Sequence, residues 1–308
     1  MDEIHVPVLL QEVIEGLNVK PDGIYLDLTL GRGGHSSVIL SKLNNGLLIG
    51  VDQDDEAISY SDERLKKISN NYKLVRDNFV NIDSILENLS IDKVDGILMD
   101  LGVSSPQFDD QSRGFSYRYD SELDMRMDRR NELTAKKIVN EYPLEELVRI
   151  FNEYGEEKYC YSIAKNIVKE RETHEISSTY ELVEIIKRSK PAKELKKVGH
   201  PAKQIFQALR IEVNDEINVL IRTLDKALHH LSPQGRLCVI TFHSGEDKIV
   251  KHLFKELTVV EGNRNDLPLK EEKKEFTLIS RKGIKPSEEE IKRNHRSTSA
   301  VLRIIEKN

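Results

Sequence analysis

The sequence predicts an α/β protein in which short, fully buried strands alternate with helices and one block of helices interrupts the pattern. Three observations carry this. Ile24–Leu30 is a turn-bounded apolar run, too continuous for a half-exposed strand; Gly31, Gly33 and Gly34 follow at once, and Ser36–Leu43 has helical character. Strand, glycine turn and helix make the first half of a βαβ unit. Leu47–Val51 then supplies a second buried strand with Asp52 at its carboxyl end. Finally, strands vanish between Arg113 and about Gly199, which reads as a helical insertion between the fourth and fifth strands. The expected division is a core of residues 1–112 and 200–308 around an insertion of residues 113–199.

The remaining elements follow in order. His5–Leu17 is a short apolar lead-in, Asp55–Ile68 a helix, Tyr72–Arg76 the third strand and Phe79–Leu89 a helix. Val94–Leu101 is a fourth buried strand containing Asp100 near its end. In the insertion, Ala135–Asn140, Leu144–Tyr154, Glu156–Glu170 and Ser178–Ser189 read as helices. Ile205, Leu209, Val213, Ile217, Leu220 and Leu224 then recur at helical spacing and define one apolar face. Gln207, Arg210 and Asn214 fall on another face, by default a solvated one. After a Pro233-Gln234-Gly235 turn, Arg236–Phe242 is the fifth strand and Glu246–Leu257 a helix. Phe276–Ile279 and Ala300–Ile305 close the chain as an antiparallel pair around a basic loop.

Candidate site residues gather at the carboxyl ends of strands, where open α/β sheets bind ligands. Glycines let the backbone come close to a ligand. Asp52, about 20 residues on, has the spacing of an acid that takes ribose hydroxyls. Gly31-Arg32-Gly33-Gly34-His35 lacks the full Gly-x-Gly-x-x-Gly fingerprint of pyrophosphate binding. That disfavours a dinucleotide and suits a ribose-bearing ligand without phosphate, such as S-adenosylmethionine; a bare structural turn is the alternative. Phe79 stands where an aromatic could lie against an adenine or simply start a helix in the core. Asp100 is followed by Ser104-Ser105-Pro106-Gln107-Phe108, a loop similar to the Ser-Pro-Pro-aromatic loop of enzymes that methylate exocyclic amino groups, with an ordinary proline turn as the alternative. His243, after the fifth strand, is either a site residue beside Asp100 or a capping histidine.

Bulk properties narrow the class. Two cysteines, Cys160 and Cys238, suit buried thiols in a reducing cytoplasm, and nine scattered histidines give no zinc spacing, so no metal site is expected. No apolar run is long enough to span a bilayer, and Met-Asp-Glu-Ile-His is no secretory start. A net charge of −6 argues against general polyanion binding. Two basic clusters run the other way: Lys187, Arg188, Lys190, Lys193, Lys196, Lys197 and Lys203, and the tail between Arg281 and Arg303. Monomer and homodimer are both open at this level.

Several strings together carry a resemblance. Gly31–Ser36, Asp100–Asp109, Arg113-Gly114-Phe115-Ser116, Leu123–Asp128, Tyr154-Gly155-Glu156-Glu157, His200-Pro201 through Ile211 and Phe242-His243-Ser244 stand in the order found in the bacterial 16S ribosomal RNA cytosine-N4 methyltransferases, the RsmH or MraW family. The resemblance runs from His5 to Arg303. It implies a class I S-adenosylmethionine-dependent methyltransferase fold, Rossmann-like with a helical insertion, and a decoding-centre cytidine of 16S rRNA in the 30S subunit as acceptor. It also implies that Gly33, Gly34, His35, Asp52, Phe79, Asp100 and Gln107 bind the donor. Gly245 departs from the pattern, where a larger apolar residue is expected, and Asn294–Ala300 matches only loosely. For chemistry on a base amine, Asp100 or the Ser104-Ser105-Pro106 segment would accept the N4 hydrogen bond, with His243 as second candidate. The competing readings are a nicotinamide-dependent oxidoreductase, disfavoured by the glycine pattern, and a non-enzymatic small-subunit assembly or binding factor that retains a donor pocket.

Overall fold

A computed structural model describes residues 7–258 and 274–308; His5 and Val6 of the expected lead-in lie outside them. Seven strands form one sheet: β1 (Ile24–Asp27), β2 (Leu47–Asp52), β3 (Tyr72–Arg76), β4 (Val94–Asp100), β5 (Leu231–Thr241), β6 (Phe276–Leu278) and β7 (Val301–Lys307). Their order is β3-β2-β1-β4-β5-β7-β6. The first five run parallel, and β7 pairs antiparallel with both β5 and β6. Strand order therefore reverses between β1 and β4, the position where such sheets bind ligands. The expected α/β class and the closing antiparallel pair are both present.

Burial explains why the strands read as continuous apolar runs. Successive side chains point to opposite faces, and both faces are covered. Leu26, Ile49, Ile97 and Val239 join one core with Leu220 and Leu224 of helix Glu216–His229 and Val250 and Phe254 of helix Ser244–Thr258. Their neighbours Tyr25, Leu48, Leu98 and Cys238 join another with Val13 and Leu17 of helix Leu10–Leu17 and Ile39 and Leu40 of helix Gly34–Ser41. Burial pushes the Cys238 thiol up to about 12, so it is an inert packing group; Cys160 is only half-buried, against the expectation for both. The Pro233-Gln234-Gly235 turn lies inside β5, not before it. Val94 pairs with Leu231 and Gly96 with Arg236, so the turn is looped out of the ladder.

The chain divides into two compact units, Met1–Gly102 with Asn218–Asn308, and Val103–Ile217. The single helix expected through Ile205–Leu224 is in fact two, Lys203–Asn214 and Glu216–His229, broken at Asp215 in a left-handed conformation (φ 51°). Apolar spacing continues across the break, but Ile205, Phe206, Leu209 and Val213 pack with Phe115, Phe151 and Ile186 of the second unit, whereas Leu220 and Leu224 pack on the sheet.

Within the second unit, the polar motif residues hold backbone. Asn214 accepts from Met127 N (2.7 Å) and donates to Met125 O and Arg210 O (2.8 Å each). Gln207 donates to Tyr154 O (2.9 Å), and Arg210 forks onto Glu216 through Nε and Nη2 (2.9 Å each). The face expected to be solvated is a clamp. Buried Arg113 donates from Nη2 to Arg126 O and Met127 O. Gly114, at φ +69°, has Glu122 O only 2.2 Å from where a Cβ would sit. Glu157 and Lys190 form a nearly dry ion pair (2.6 Å; side chains 1% and 6% exposed), with Lys190 also donating to Pro201 O. Asn214→Ala is expected to lower the stability of this unit by about 1–3 kcal/mol in urea denaturation, with the far-ultraviolet circular dichroism unchanged at rest; no measurable loss would restore the solvated-face reading.

Candidate active site

The glycine turn follows β1 directly. Gly31 and Gly33 are left-handed (φ +52° and +66°), a conformation that L side chains resist. Gly33 N donates to Leu30 O (2.8 Å), and Ser61 Oγ donates to Gly31 O (2.9 Å), fixing the turn from below. Asp52 closes it from the side: Oδ2 accepts from Gly31 N and Oδ1 from Asp54 N, each at 2.9 Å. Burial raises the Asp52 carboxyl to about 6, with these two N–H groups pulling the other way. Each oxygen retains capacity for a further donor such as a sugar hydroxyl. Phe79 starts the short turn Phe79–Asn81 and is half-buried against the sheet core, which fits either of its two expected roles.

Asp27 braces the glycine turn, a role that sequence reasoning missed. Only 2% exposed, it accepts from Ser36 Oγ (2.7 Å) and Thr29 N (3.1 Å), so it ties the first turn of helix Gly34–Ser41 to the end of β1. Burial raises its pKa. The available signal was an acid inside an apolar run just before a glycine turn. Thr29 Oγ1 in turn accepts from Asp100 N (2.6 Å), which brings the end of β4 into the same network.

Asp100 is under electrostatic stress as well. Its Oδ1 is buried without a hydrogen-bond partner, and its Oδ2 lies 3.6 Å from His35 Nδ1. Burial, then the charges of Asp27 and Glu246, raise its pKa to about 8. The side chain still keeps 26% of its surface exposed, so a ligand can approach it. A cation or an N–H donor is the chemistry such a carboxyl lacks.

His243 follows β5, which does neighbour β4 as expected, with Asp100 opposite Ile240. Its ring is tied into the start of the next helix. Nδ1 faces Glu246 N at 3.5 Å; Nε2 lies 3.1 Å from Glu246 Oε1 but lacks hydrogen-bond alignment, and so remains unpartnered despite the charge contact. Buried Glu246 accepts from Phe242 N (2.8 Å) and caps the turn. The capping reading of His243 has the geometry in its favour.

In the second unit, Ser105 and Pro106 open the short helix Ser105–Asp109. Gln107 is buried, and its Oε1 accepts from Ser104 N (3.3 Å) while its backbone N–H reaches Ser104 Oγ (3.5 Å). Ser104 and Gln107 therefore brace their own loop.

A methylase-family pattern covers this chain almost end to end: the MraW methylase family matches residues 2–308. The chain belongs to the MraW methylase family. Members named ribosomal RNA small subunit methyltransferase H are similar throughout. That of Mesoplasma florum is 55% identical over 309 residues, 99% of both chains, and that of Clostridium botulinum is 52% identical over 310 residues, 100% of both. The resemblance seen in the motifs is thus borne out along the whole length, and the oxidoreductase and non-enzymatic readings gain nothing from these MraW relatives.

The raised carboxyls set a pH dependence. A carboxyl whose folded pKa lies above its unfolded value favours the fold below the unfolded pKa and loses that contribution as pH rises through the folded one. For Asp100 the window runs from about 4 to about 8. The ligand-free protein should lose melting temperature across it, and Asp100→Asn should flatten the slope, gaining more at about pH 8.5 than at about pH 4.5. Parallel melting curves for the two proteins would refute this.

Proposed function

We propose that this chain transfers a methyl group from S-adenosylmethionine to the exocyclic N4 of a decoding-centre cytidine in 16S rRNA, in the cytoplasm where small subunits mature. The observation that carries the reading is the part-exposed carboxyl of Asp100, its inner oxygen buried without a partner, at the switch point of the sheet, beside a left-handed glycine turn, in a chain of the MraW family.

The residues present fit the donor. The Gly31–His35 turn offers backbone at close range, Asp52 has acceptor capacity left for ribose hydroxyls, and Asp100 lacks the cation that the donor's ammonium group would provide. Phe79 is assigned to the adenine face and Gln107 to bracing its own loop for the donor. When bound, the donor supplies an electrophilic methyl on a sulfonium, so the protein has chiefly to orient the acceptor. Cytosine N4 is a weak nucleophile because its lone pair is delocalised into the ring. A carbonyl or carboxylate that accepts an N4 hydrogen bond favours pyramidal nitrogen as the new bond forms. That role is assigned to Asp100 or, as the alternative, to a backbone carbonyl of Ser104, Ser105 or Pro106, with His243 as second candidate. The target base must leave its stack to be reached.

Basic residues of the insertion are assigned to the RNA backbone. Arg188, Lys193, Lys196, Lys197 and Lys203 are all exposed in the second unit, and local charge of this kind outweighs a net negative total in phosphate binding. The test is methyl transfer from labelled S-adenosylmethionine to unmodified 30S subunits and, separately, to free 16S rRNA, with the product nucleoside identified by mass spectrometry. N4-methylcytidine at one site is expected, and the better acceptor shows when in assembly the enzyme acts. Transfer to neither, with donor binding intact, would sink the reading. Asp100→Ala should lower the rate by about 100-fold or more with circular dichroism unchanged, and near-normal turnover would remove Asp100 from the assignment.

A further inference from the structure

Three residues near the start of the described chain lie across the glycine turn. Pro7 covers Gly34 so closely that a Cβ there would sit 2.4 Å from Pro7 Cγ. Val8 O lies 2.9 Å from His35 Nε2. A carbonyl only accepts, so Nε2 carries the proton, and in the neutral ring the lone pair falls on Nδ1, the atom facing Asp100 Oδ2. Leu9 completes the strap in a left-handed conformation (φ 52°, ψ 36°) that a side-chain-bearing residue seldom adopts. Its N–H donates to Glu290 Oε1 at 2.8 Å, a contact across 281 residues. Glu290 sits in the helix Glu288–Arg293, where Ser287 Oγ accepts from its N–H (3.2 Å).

We infer that Glu290 is a positioning residue for the Asp100 carboxyl, acting through Leu9, the Val8 carbonyl and His35. Glu290 fixes the Leu9 backbone, the strap fixes Val8 O, and Val8 O fixes which imidazole nitrogen is protonated. The consequence lies at Asp100. With a lone pair on Nδ1, His35 cannot donate to an ionised Oδ2; a proton must lie between the two groups or a cation must arrive. The opposite tautomer would donate to Asp100 and satisfy it without a ligand, at the cost of an unpartnered Val8 O. Among the described residues, Asp27 at the end of β1 and Glu246 of helix Ser244–Thr258 also act on Asp100, and both are acids. The strap thereby leaves the His35–Asp100 contact short of one positive charge, which a proton shared between the two groups or a cationic ligand supplies. Glu290 itself belongs to none of the glycine, acid and loop motifs that mark the site in the sequence.

This inference rests on the proposed function only in taking Asp100 as part of the donor site, and its test needs neither RNA nor turnover. In the full chain, nitrogen-15 imidazole spectra report the His35 tautomer, and calorimetric titration with S-adenosylhomocysteine reports the site. Wild type should show Nε2–H. Glu290→Gln keeps an oxygen that can accept from Leu9 N–H and should retain both the tautomer and the affinity. Glu290→Ala should give a mixed or Nδ1–H population and bind about tenfold more weakly. Gly34→Ala, which displaces Pro7 from the other side, should shift the tautomer in the same direction and serves as the readout if Glu290→Ala does not fold. A wild-type tautomer in Glu290→Ala, or in Gly34→Ala when that variant stands in, would overturn the inference, as would equal loss of affinity in Glu290→Gln and Glu290→Ala. Should methyl transfer to rRNA fail in every protein while the tautomer shifts as stated, the proposed function falls and this inference stands.

Discussion

A single buried carboxylate sets the geometry at the carboxyl ends of the central strands. Asp27 receives Ser36 Oγ from the first turn of the following helix and Thr29 N from the turn itself, while Thr29 Oγ1 receives the N–H of Asp100. Through two side chains it fixes the start of a helix, the path of the glycine turn and the end of β4. Burying such a group is unfavourable unless its lone pairs are filled, and these hydrogen bonds fill them. Their directionality holds the glycine turn and Asp100 in fixed places, and Asp52 joins them through its own bond to Gly31 N. Removing Asp27 would leave Ser36 and Thr29 without their acceptor and release all three.

The second unit is organised differently. Its recognisable strings, Arg113-Gly114, Leu123–Asp128, Tyr154-Gly155 and the Gln207, Arg210 and Asn214 set, are used largely on backbone carbonyls and amides of irregular segments. Segments without regular secondary structure still have backbone groups to satisfy, and polar side chains are the means available. Motif residues here therefore build the scaffold.

The sheet was legible in the sequence because its strands are buried on both faces, which turns each into an uninterrupted apolar run. The same signal hid Asp27, one acid inside such a run, whose function appears only when Ser36 and Thr29 converge on it. Periodicity also misled at Asp215. Ile217, Leu220 and Leu224 continue the spacing set by Ile205, Leu209 and Val213, yet one left-handed residue directs the two halves to different cores. A hydrophobic pattern records that a face is buried and carries no label for its partner. Asp52 and Asp100 were readable from their position at strand ends, whereas the bracing role of Gln107 and the ring contacts of His243 depend on rotamers that no spacing rule encodes.

The acidity of the site bears on which ligands it holds. Asp27, Asp52 and Asp100 all have raised pKa values with burial as the leading cause, and Glu246 adds to the repulsion at Asp100. Bringing in a ligand with net positive charge relieves that repulsion, because each carboxyl can ionise against it in a medium where charges interact strongly. A methyl donor carries a sulfonium charge that the spent product lacks. On the proposed donor site, carboxyls arranged in this way would attract the donor more than the product, with no need for a contact to the reacting sulfur itself. The stress that weakens the ligand-free fold above about pH 4 would then, on that proposal, be the same stress that favours exchange of product for fresh donor. Replacing Asp100 by a neutral isostere would relax both together, which separates this origin of selectivity from one based on shape alone.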